Sequence, residues 1–363
     1  MIHPIKKITL TLIIFIIFSF SLSAMDIKEG RIKLVLNETN GRFSLYYQTD
    51  PVEGEYTPLL LDQDPRTSGI TLIINDEDKV TLGDSFDFDQ KITKTPNGAR
   101  ISWNSKELYV YEDFSFVASP DSAVADGIKI RITIKNISEE SMSVGLKYLF
   151  DTYLGEESKN HFYTEHDQSI VKETVLKGLM EKYWVSTADH DSPIGFLSML
   201  DNTLVTPPDK VIFANWKRLN ESGWILTTKE GRDFDLLPFS INDSAVSQYY
   251  YPVKLKKNEI RNIDLIIGNK TKTGFTKDTL SSNSIAVAIR ELYNKIMNSN
   301  IDILKESSES IAKNQLTLVN EYMELIDKII KVNKSLTRMD MELIDLMYMK
   351  LEKNRNEFEK KID

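Results

Sequence analysis

The chain has 363 residues, with 45 Lys and Arg against 54 Asp and Glu, and no cysteine. A net charge of −9 excludes the basic surface that phosphate neutralisation requires, so neither nucleic acid nor an anionic lipid held by charge is an expected partner. The missing cysteines exclude disulfides, a thiolate nucleophile and a cysteine-ligated metal, and leave an apolar core to hold the fold.

Residues 1–24 have the layout of a cleaved secretory signal. Lys6 and Lys7 precede an apolar run from Ile8 to Phe20, and Ser21, Ser23 and Ala24 close it with small residues. The run is shorter than the about 20 residues of a membrane span. A periplasmic protein is expected, with no span once the signal is removed; outer-membrane association is an alternative. Loss of Lys6 and Lys7 takes the net charge from −9 to −11.

Residues 25–275 read as nearly all β. Ile32–Leu36 and Arg42–Tyr47 flank Asn40-Gly41, a favoured tight-turn pair. Ile70–Ile74 and Val80–Leu82 flank an acidic turn, and Arg100–Trp103 and Leu108–Tyr111 follow. In Ile128–Ile134 isoleucines alternate with Lys129, Arg131 and Thr133, the period of a strand with one buried face. Met142, Val144, Leu146, Tyr148 and Phe150 repeat that period after a polar turn, which predicts a half-buried hairpin. A short helix is expected over 171–182. Further strands are expected at 195–200, 211–216, 224–228, 245–251 and 261–267. So many short strands with turn signals predict an antiparallel β-sandwich or barrel.

Thr271–Ser284 is a polar linker, and residues 276–363 read as a helical arm. No proline follows Pro252 and no glycine follows Gly274. Ile285, Ile289, Leu292 and Ile296 mark one apolar face. Ile311, Leu318, Tyr322, Leu325, Ile329 and Val332 then fall at heptad-like spacing, widened by Val319, Met323, Ile326 and Ile330. Thr337 with Asp340 resembles a capping box, and Ile344, Met347, Leu351 and Phe358 mark a last helix. The long helices are expected to form a hairpin. Its stripe shows burial without showing against what. The arm either folds back on the sandwich or reaches out to envelope proteins or a second copy, with Leu318, Tyr322, Leu325, Ile329, Ile344, Met347 and Leu351 as the partner-binding residues.

Candidate chemistry is sparse. In His161-Phe-Tyr-Thr-Glu165-His166-Asp167, an extended chain puts His161, Glu165 and Asp167 on one face; that spacing is no recognised metal signature, and a polar loop or edge strand accounts for it. His190, in Ala188-Asp-His-Asp-Ser-Pro193, has a general acid's chemistry beside a carboxylate. Glu156 with Glu157 and Asp87 with Asp89 read as solvated pairs. Trp216, Tyr249 and Tyr251 are candidates for an aromatic sugar platform, although half-buried strand aromatics are commoner. No metal or cofactor is expected.

Three stretches carry a resemblance: Val144-Gly-Leu-Lys-Tyr-Leu-Phe-Asp-Thr-Tyr-Leu-Gly155, Pro208-Asp-Lys-Val-Ile-Phe-Ala-Asn-Trp216, and Asn242-Asp-Ser-Ala-Val-Ser-Gln-Tyr-Tyr-Tyr-Pro252 leading to Gly268. Together they resemble a group of exported bacterial β-sandwich domains similar in architecture to the galactose-mutarotase-like supersandwich. The resemblance covers most of the β part and none of the arm. It implies the fold; the histidine and glutamate of true mutarotases do not align residue by residue with His161, His166 or His190. In that group an Asn-Asp-Gly-like turn follows the Asp-Thr…Gly segment, and Gly155-Glu-Glu-Ser-Lys-Asn160 departs from it.

These readings favour a non-enzymatic periplasmic scaffold or assembly protein, with the surroundings of a flagellar motor as one conceivable home. A carbohydrate-binding or carbohydrate-processing protein is the alternative, and a chaperone-like helper a third.

Overall fold

The computed structural model describes residues 24–61, 67–166, 168–176, 181–276, 284–298, 309–333 and 336–362. The predicted signal lies outside them except for Ala24, which opens the first strand. In chain order the strands are β1 (Ala24–Glu29), β2 (Ile32–Asn37), β3 (Phe43–Asp50), β4 (Glu55–Pro58), β5 (Gly69–Ile74), β6 (Asp78–Thr81), β7 (Asp89–Thr95), β8 (Gly98–Asn104), β9 (Leu108–Val117), β10 (Gly127–Asn136) and β11 (Met142–Asp151). They continue with β12 (Phe162–Thr164), β13 (Ser169–Ile170), β14 (Thr174–Leu176), β15 (Tyr183–Ser186), β16 (Phe196–Met199) and β17 (Lys210–Asn215). A short helix α1 (Trp216–Glu221), β18 (Ser244–Leu255) and β19 (Ile260–Asn269) complete the β part, and α2 (Ser284–Met297), α3 (Glu309–Val332) and α4 (Arg338–Ile362) form the arm.

Three antiparallel sheets result. A nine-stranded sheet has the order β13-β12-β15-β16-β19-β10-β9-β8-β7, a six-stranded sheet β14-β17-β18-β11-β5-β6, and a small sheet β1-β2-β3-β4. The two large sheets and the apolar face of the small sheet share the main core, a sandwich of sheets that each bury one face.

The expected isoleucine strand is β10, and Ile128, Ile130, Ile132 and Ile134 are fully buried. Its hairpin with β11 is not formed. β10 pairs with β9 and β19, whereas β11 pairs with β5 and β18 in the other sheet. Alternation reports which face is buried, not which strand lies alongside, and here the two apolar faces look at each other across the core. The crossing between sheets is pinned by Asn136, whose Nδ2 donates to Glu140 O at 2.7 Å and Leu255 O at 2.9 Å.

β11 is also covered on its outer face. Residues 224–228, expected as a strand, are irregular and lay Trp224, Ile225 and Leu226 over Leu149, Ile212, Leu219 and Tyr249. Lys147, only 1% exposed, donates Nζ to Leu219 O at 3.1 Å and satisfies a carbonyl of α1. The helix expected over 171–182 is replaced, in its described part, by β14, which pairs with β17. Trp216 leaves β17 to open α1, whose N-cap is Asn215.

The arm's three helices share one core with Val124 and Ala123 of the β9–β10 connection. Ile289, Leu292 and Ile296 are buried as the pattern predicts, as are Ile344, Met347, Leu351 and Phe358. Thr337 and Asp340 make a reciprocal cap: Asp340 N donates to Thr337 Oγ1 at 3.1 Å and Thr337 N to Asp340 Oδ2 at 2.9 Å. The expected α3 stripe is rotated by about one residue. Ala312, Val319, Tyr322 and Ile326 are buried, while Ile311, Leu325 and Val332 are exposed.

The arm does not reach away from the sandwich; it docks on it. Asn294 of α2 accepts from Gly30 N at 2.8 Å and donates to Glu29 Oε1 at 2.6 Å. Lys350 Nζ donates to Val52 O at 2.8 Å, and Lys353 Nζ meets Glu53 Oε2 at 2.5 Å. Each fully buried apolar side chain of this arm stabilises it by about 1.5–3 kcal/mol. No helix among the described residues is long and apolar enough to cross a membrane.

Candidate functional site

The three motif-bearing stretches converge. β17, β18 and β11 are neighbours, and their antiparallel register brings Asn215, Ser244 and Asp151 to one end of the sheet. Glu156 folds over that end and accepts Ser244 N at 2.9 Å. Its carboxyl is therefore not the solvated group the sequence suggests. Burial pushes it up to about 8, with Asp151 and Asp243 adding to the rise and the Ser244 hydrogen bond opposing it. Gly155 allows the loop to close, because a Cβ there would lie 2.2 Å from His161 O.

His161 closes the loop from inside. It is 3% exposed, packs edge-on against Phe234 at 4.5 Å, and its Nδ1 has no hydrogen-bond partner among the described residues. Burial lowers it to about 4 despite the opposing charge of Asp235, so the imidazole is neutral at physiological pH. His161 N donates to Gly155 O at 3.2 Å, which ties the buried imidazole to the loop that carries Glu156. The clefts lined by other parts of the chain do not include His161 or Glu156.

Glu165 and His166 lie in the turn that follows β12, at the other end of the strand from His161. Their ligand atoms and that of Glu181 lie within 4.8 Å of one another. These are metal-ligand types, yet each group already has a partner. His166 Nδ1 is 2.9 Å from Glu181 Oε2, which raises the imidazole pKa, and Lys182 Nζ is 2.6 Å from Glu165 Oε1. Burial pushes the Glu165 carboxyl up, and the hydrogen bonds and charge of Lys182 outweigh it and hold it below its ordinary value. The set is an ion-pair network at the sheet edge. Asp167 lies outside the described residues. His190 is exposed, stands edge-on to Tyr163 at 5.7 Å and has Asp191 3.7 Å away.

The aromatic candidates are largely absorbed by packing. Tyr249 is fully buried beneath Trp224, rings 5.7 Å apart and perpendicular. Trp216 is half-buried and donates Nε1 to Thr67 O at 2.8 Å. Trp103 and Trp184 are core residues, and Tyr251 is 38% exposed. The open face of the nine-stranded sheet carries a charge ladder at one register: Arg100, Asp113, Arg131 and Asp264 on β8, β9, β10 and β19. Arg100 Nε meets Asp113 Oδ1 at 2.6 Å and Arg131 Nε meets Asp264 Oδ1 at 2.8 Å, so the row is neutralised internally.

The sandwich and the arm each leave surface open to solvent. A cleft of about 1160 Å³ between the β5–β6 and β8–β9 turns is lined by Asp78, Asp84, Asp87, Asp89 and Glu107, with Phe86 fully exposed at its rim. On the arm, Leu325 and Val332 of α3 are 43% and 78% exposed. Of the other helix candidates, Tyr322, Ile344, Met347 and Leu351 are buried inside the arm, and Leu318 and Ile329 are half-buried.

Solved structures similar to this chain are galactose mutarotase-like β-sandwich proteins. A galactose mutarotase related enzyme from Lactobacillus acidophilus matches with 11% identity and a TM-score of 0.43, over 70% of this chain and 100% of its own. A galactose mutarotase-like protein from Lactobacillus casei matches with 8% identity and a TM-score of 0.41, over 68% and 100%. An aldose epimerase homologue from C. elegans matches with 9% identity and a TM-score of 0.40, over 68% and 99%. Likeness at this level assigns no role to any residue. No protein-family model and no curated protein matches the chain.

Proposed function

We propose that the protein is an exported, non-enzymatic assembly protein of the cell envelope, in which the sandwich is a rigid body and the docked arm presents a helix-packing surface. The observation that carries this reading is the outward side of α3. Ile311, Leu325 and Val332 fall on a seven-residue repeat, the spacing of a helix–helix seam, and Leu318, the fourth position of that repeat, is half-buried against the arm's own core. Ile311, Leu325 and Val332 remain 40%, 43% and 78% exposed while the neighbouring stripe is buried in the arm's own core. The Glu165, His166 and Glu181 cluster and the row from Arg100 to Asp264 are paired internally, which supports a structural role for those groups. Nothing ties the chain to a flagellar motor, and that part of the expectation is not carried forward.

The test is a Leu325→Glu, Val332→Glu double variant of the full chain, sedimented from solubilised envelopes beside the wild type. Faster sedimentation of wild type alone, with both proteins melting alike, supports the reading. Identical sedimentation of the two contradicts it.

A second reading, carbohydrate binding, has one favourable observation. The exposed Phe86 ring above the acid-lined cleft offers a stacking surface beside hydrogen-bond acceptors. Loss of glycan binding on Phe86→Ala, measured calorimetrically, would turn the account toward it. The chaperone-like reading gains little. Met341 and Met349 of α4 are exposed, but Met347 and Phe358 are buried.

A further inference from the structure

The most exposed cluster of large apolar side chains lies neither on the arm nor in a cleft. Leu237, Phe239 and Ile241 are 70%, 68% and 67% exposed, in the loop between α1 and β18. From Leu236 to Asn242 the sequence is Leu-Leu-Pro-Phe-Ser-Ile-Asn, with no ionisable residue between Asp235 and Asp243. We infer that this tip inserts into the interface of a lipid bilayer and holds the protein against a membrane surface.

The tip is built, not loose. Leu236 N donates to Ser240 O at 2.9 Å, Ser240 N to Leu236 O at 3.0 Å and Phe239 N to Leu236 O at 2.7 Å. Asn242 N donates to Asp235 Oδ1 at 2.7 Å, and Asn215 Nδ2 donates to Phe234 O and Ser240 Oγ, each at 2.9 Å. Behind it, the buried Glu173 carboxylate is paired with Arg218 and accepts Lys229 N at 2.8 Å.

Those bonds fix the shape of the tip: the N–H groups of Leu236, Phe239, Ser240 and Asn242 are hydrogen-bonded and Pro238 has none, whereas those of Leu237 and Ile241 have no partner among the described residues, so the side chains enter the apolar layer while the backbone stays at the level of the headgroups. A stable protein partner needs about 800 Å² per side, more than three side chains on a convex tip offer. Lys217 Nζ lies 4.7 Å from the centre of the Phe239 ring and 2.9 Å from Glu221 Oε1, so the base of the tip carries an ion pair at the level where headgroups would lie. With a chain charge of −9, attachment is apolar and needs no anionic lipid.

The experiment is vesicle flotation of the protein as cells export it, using phosphatidylcholine–phosphatidylethanolamine vesicles at low and high salt. Wild type is expected to float at both. Phe239→Ser and Leu237→Ser should each lower partitioning about tenfold with unchanged melting, because both side chains are already solvent-exposed. In Phe239→Trp, vesicles should shift the emission of the introduced indole to the blue. Wild type that does not float, serine variants that float equally, or unshifted emission overturns the inference.

Discussion

Glu112, on β9, is 2% exposed and accepts Tyr148 OH at 2.6 Å. Burial pushes its carboxyl from 4.5 up to about 8, with the Tyr148 hydrogen bond and Arg42 pulling against it. Its folded-state value lies above the unfolded one. The stability it contributes is therefore complete below about 4.5 and lost as pH rises through about 8. The melting temperature of wild type should fall across that window. Glu112→Gln, which keeps an acceptor for Tyr148, should flatten the fall in pH-dependent thermal melts; an unchanged slope would contradict the assignment. Glu156 rises over the same window and Asp126 to about 6, so some slope should remain in that variant and shrink further when Glu156→Gln is added. His161 should stay neutral down to about pH 4, so an imidazole resonance titrating near 6.5 would contradict its placement. Neither Glu112 nor Glu156 announces this chemistry in the sequence. Glu112 lies just beyond the strand expected at Leu108–Tyr111, and Glu156 reads as half of a solvated pair. Both owe their environment to residues far along the chain, Tyr148 for one and Ser244 for the other. His161 and Tyr249 were legible as unusual, but a single sequence does not tell a binding aromatic from a packed one.

Period two and period 3.6 made most elements legible. β10, β11, β18, β19 and the three arm helices all fall where their apolar positions place them, because each buries a face. What stayed hidden is the partner of each face. The alternation in 128–150 fits a hairpin as well as two strands facing each other from opposite sheets. The α3 pattern is broad enough that either of two adjacent stripes fits the core. The 224–228 stretch is apolar because it lies over a sheet, without joining it. The contact between arm and sandwich is likewise a long-range product, centred on α2. Tyr293→Ala should cost about 3–5 kcal/mol by opening a cavity in a fully buried site. Asn294→Ala should cost about 1–3 kcal/mol, since it leaves Gly30 N and Glu29 without that partner. Chemical denaturation of the full chain measures both, and two wild-type-like midpoints would show that α2 is not a docking element.

At the scale of the whole molecule, the sandwich and the arm do different work. The sandwich pairs many of its polar groups in ladders and caps, and leaves a cleft between the β5–β6 and β8–β9 turns open to solvent. The arm uses one side of its helices to hold onto the small sheet and the β9–β10 connection, and turns a second apolar stripe outward. That division is the basis for reading the protein as an assembly element, and the outward stripe is where the reading is most exposed to test. The most direct measurement is photo-crosslinking in intact envelopes, with the crosslinking side chain placed at residue 325 in one protein and at residue 131, on the open sheet face, in another. The account predicts a discrete higher-mass adduct from residue 325 and none from residue 131. Uncrosslinked chain at both positions, or the same adducts from both, would contradict it.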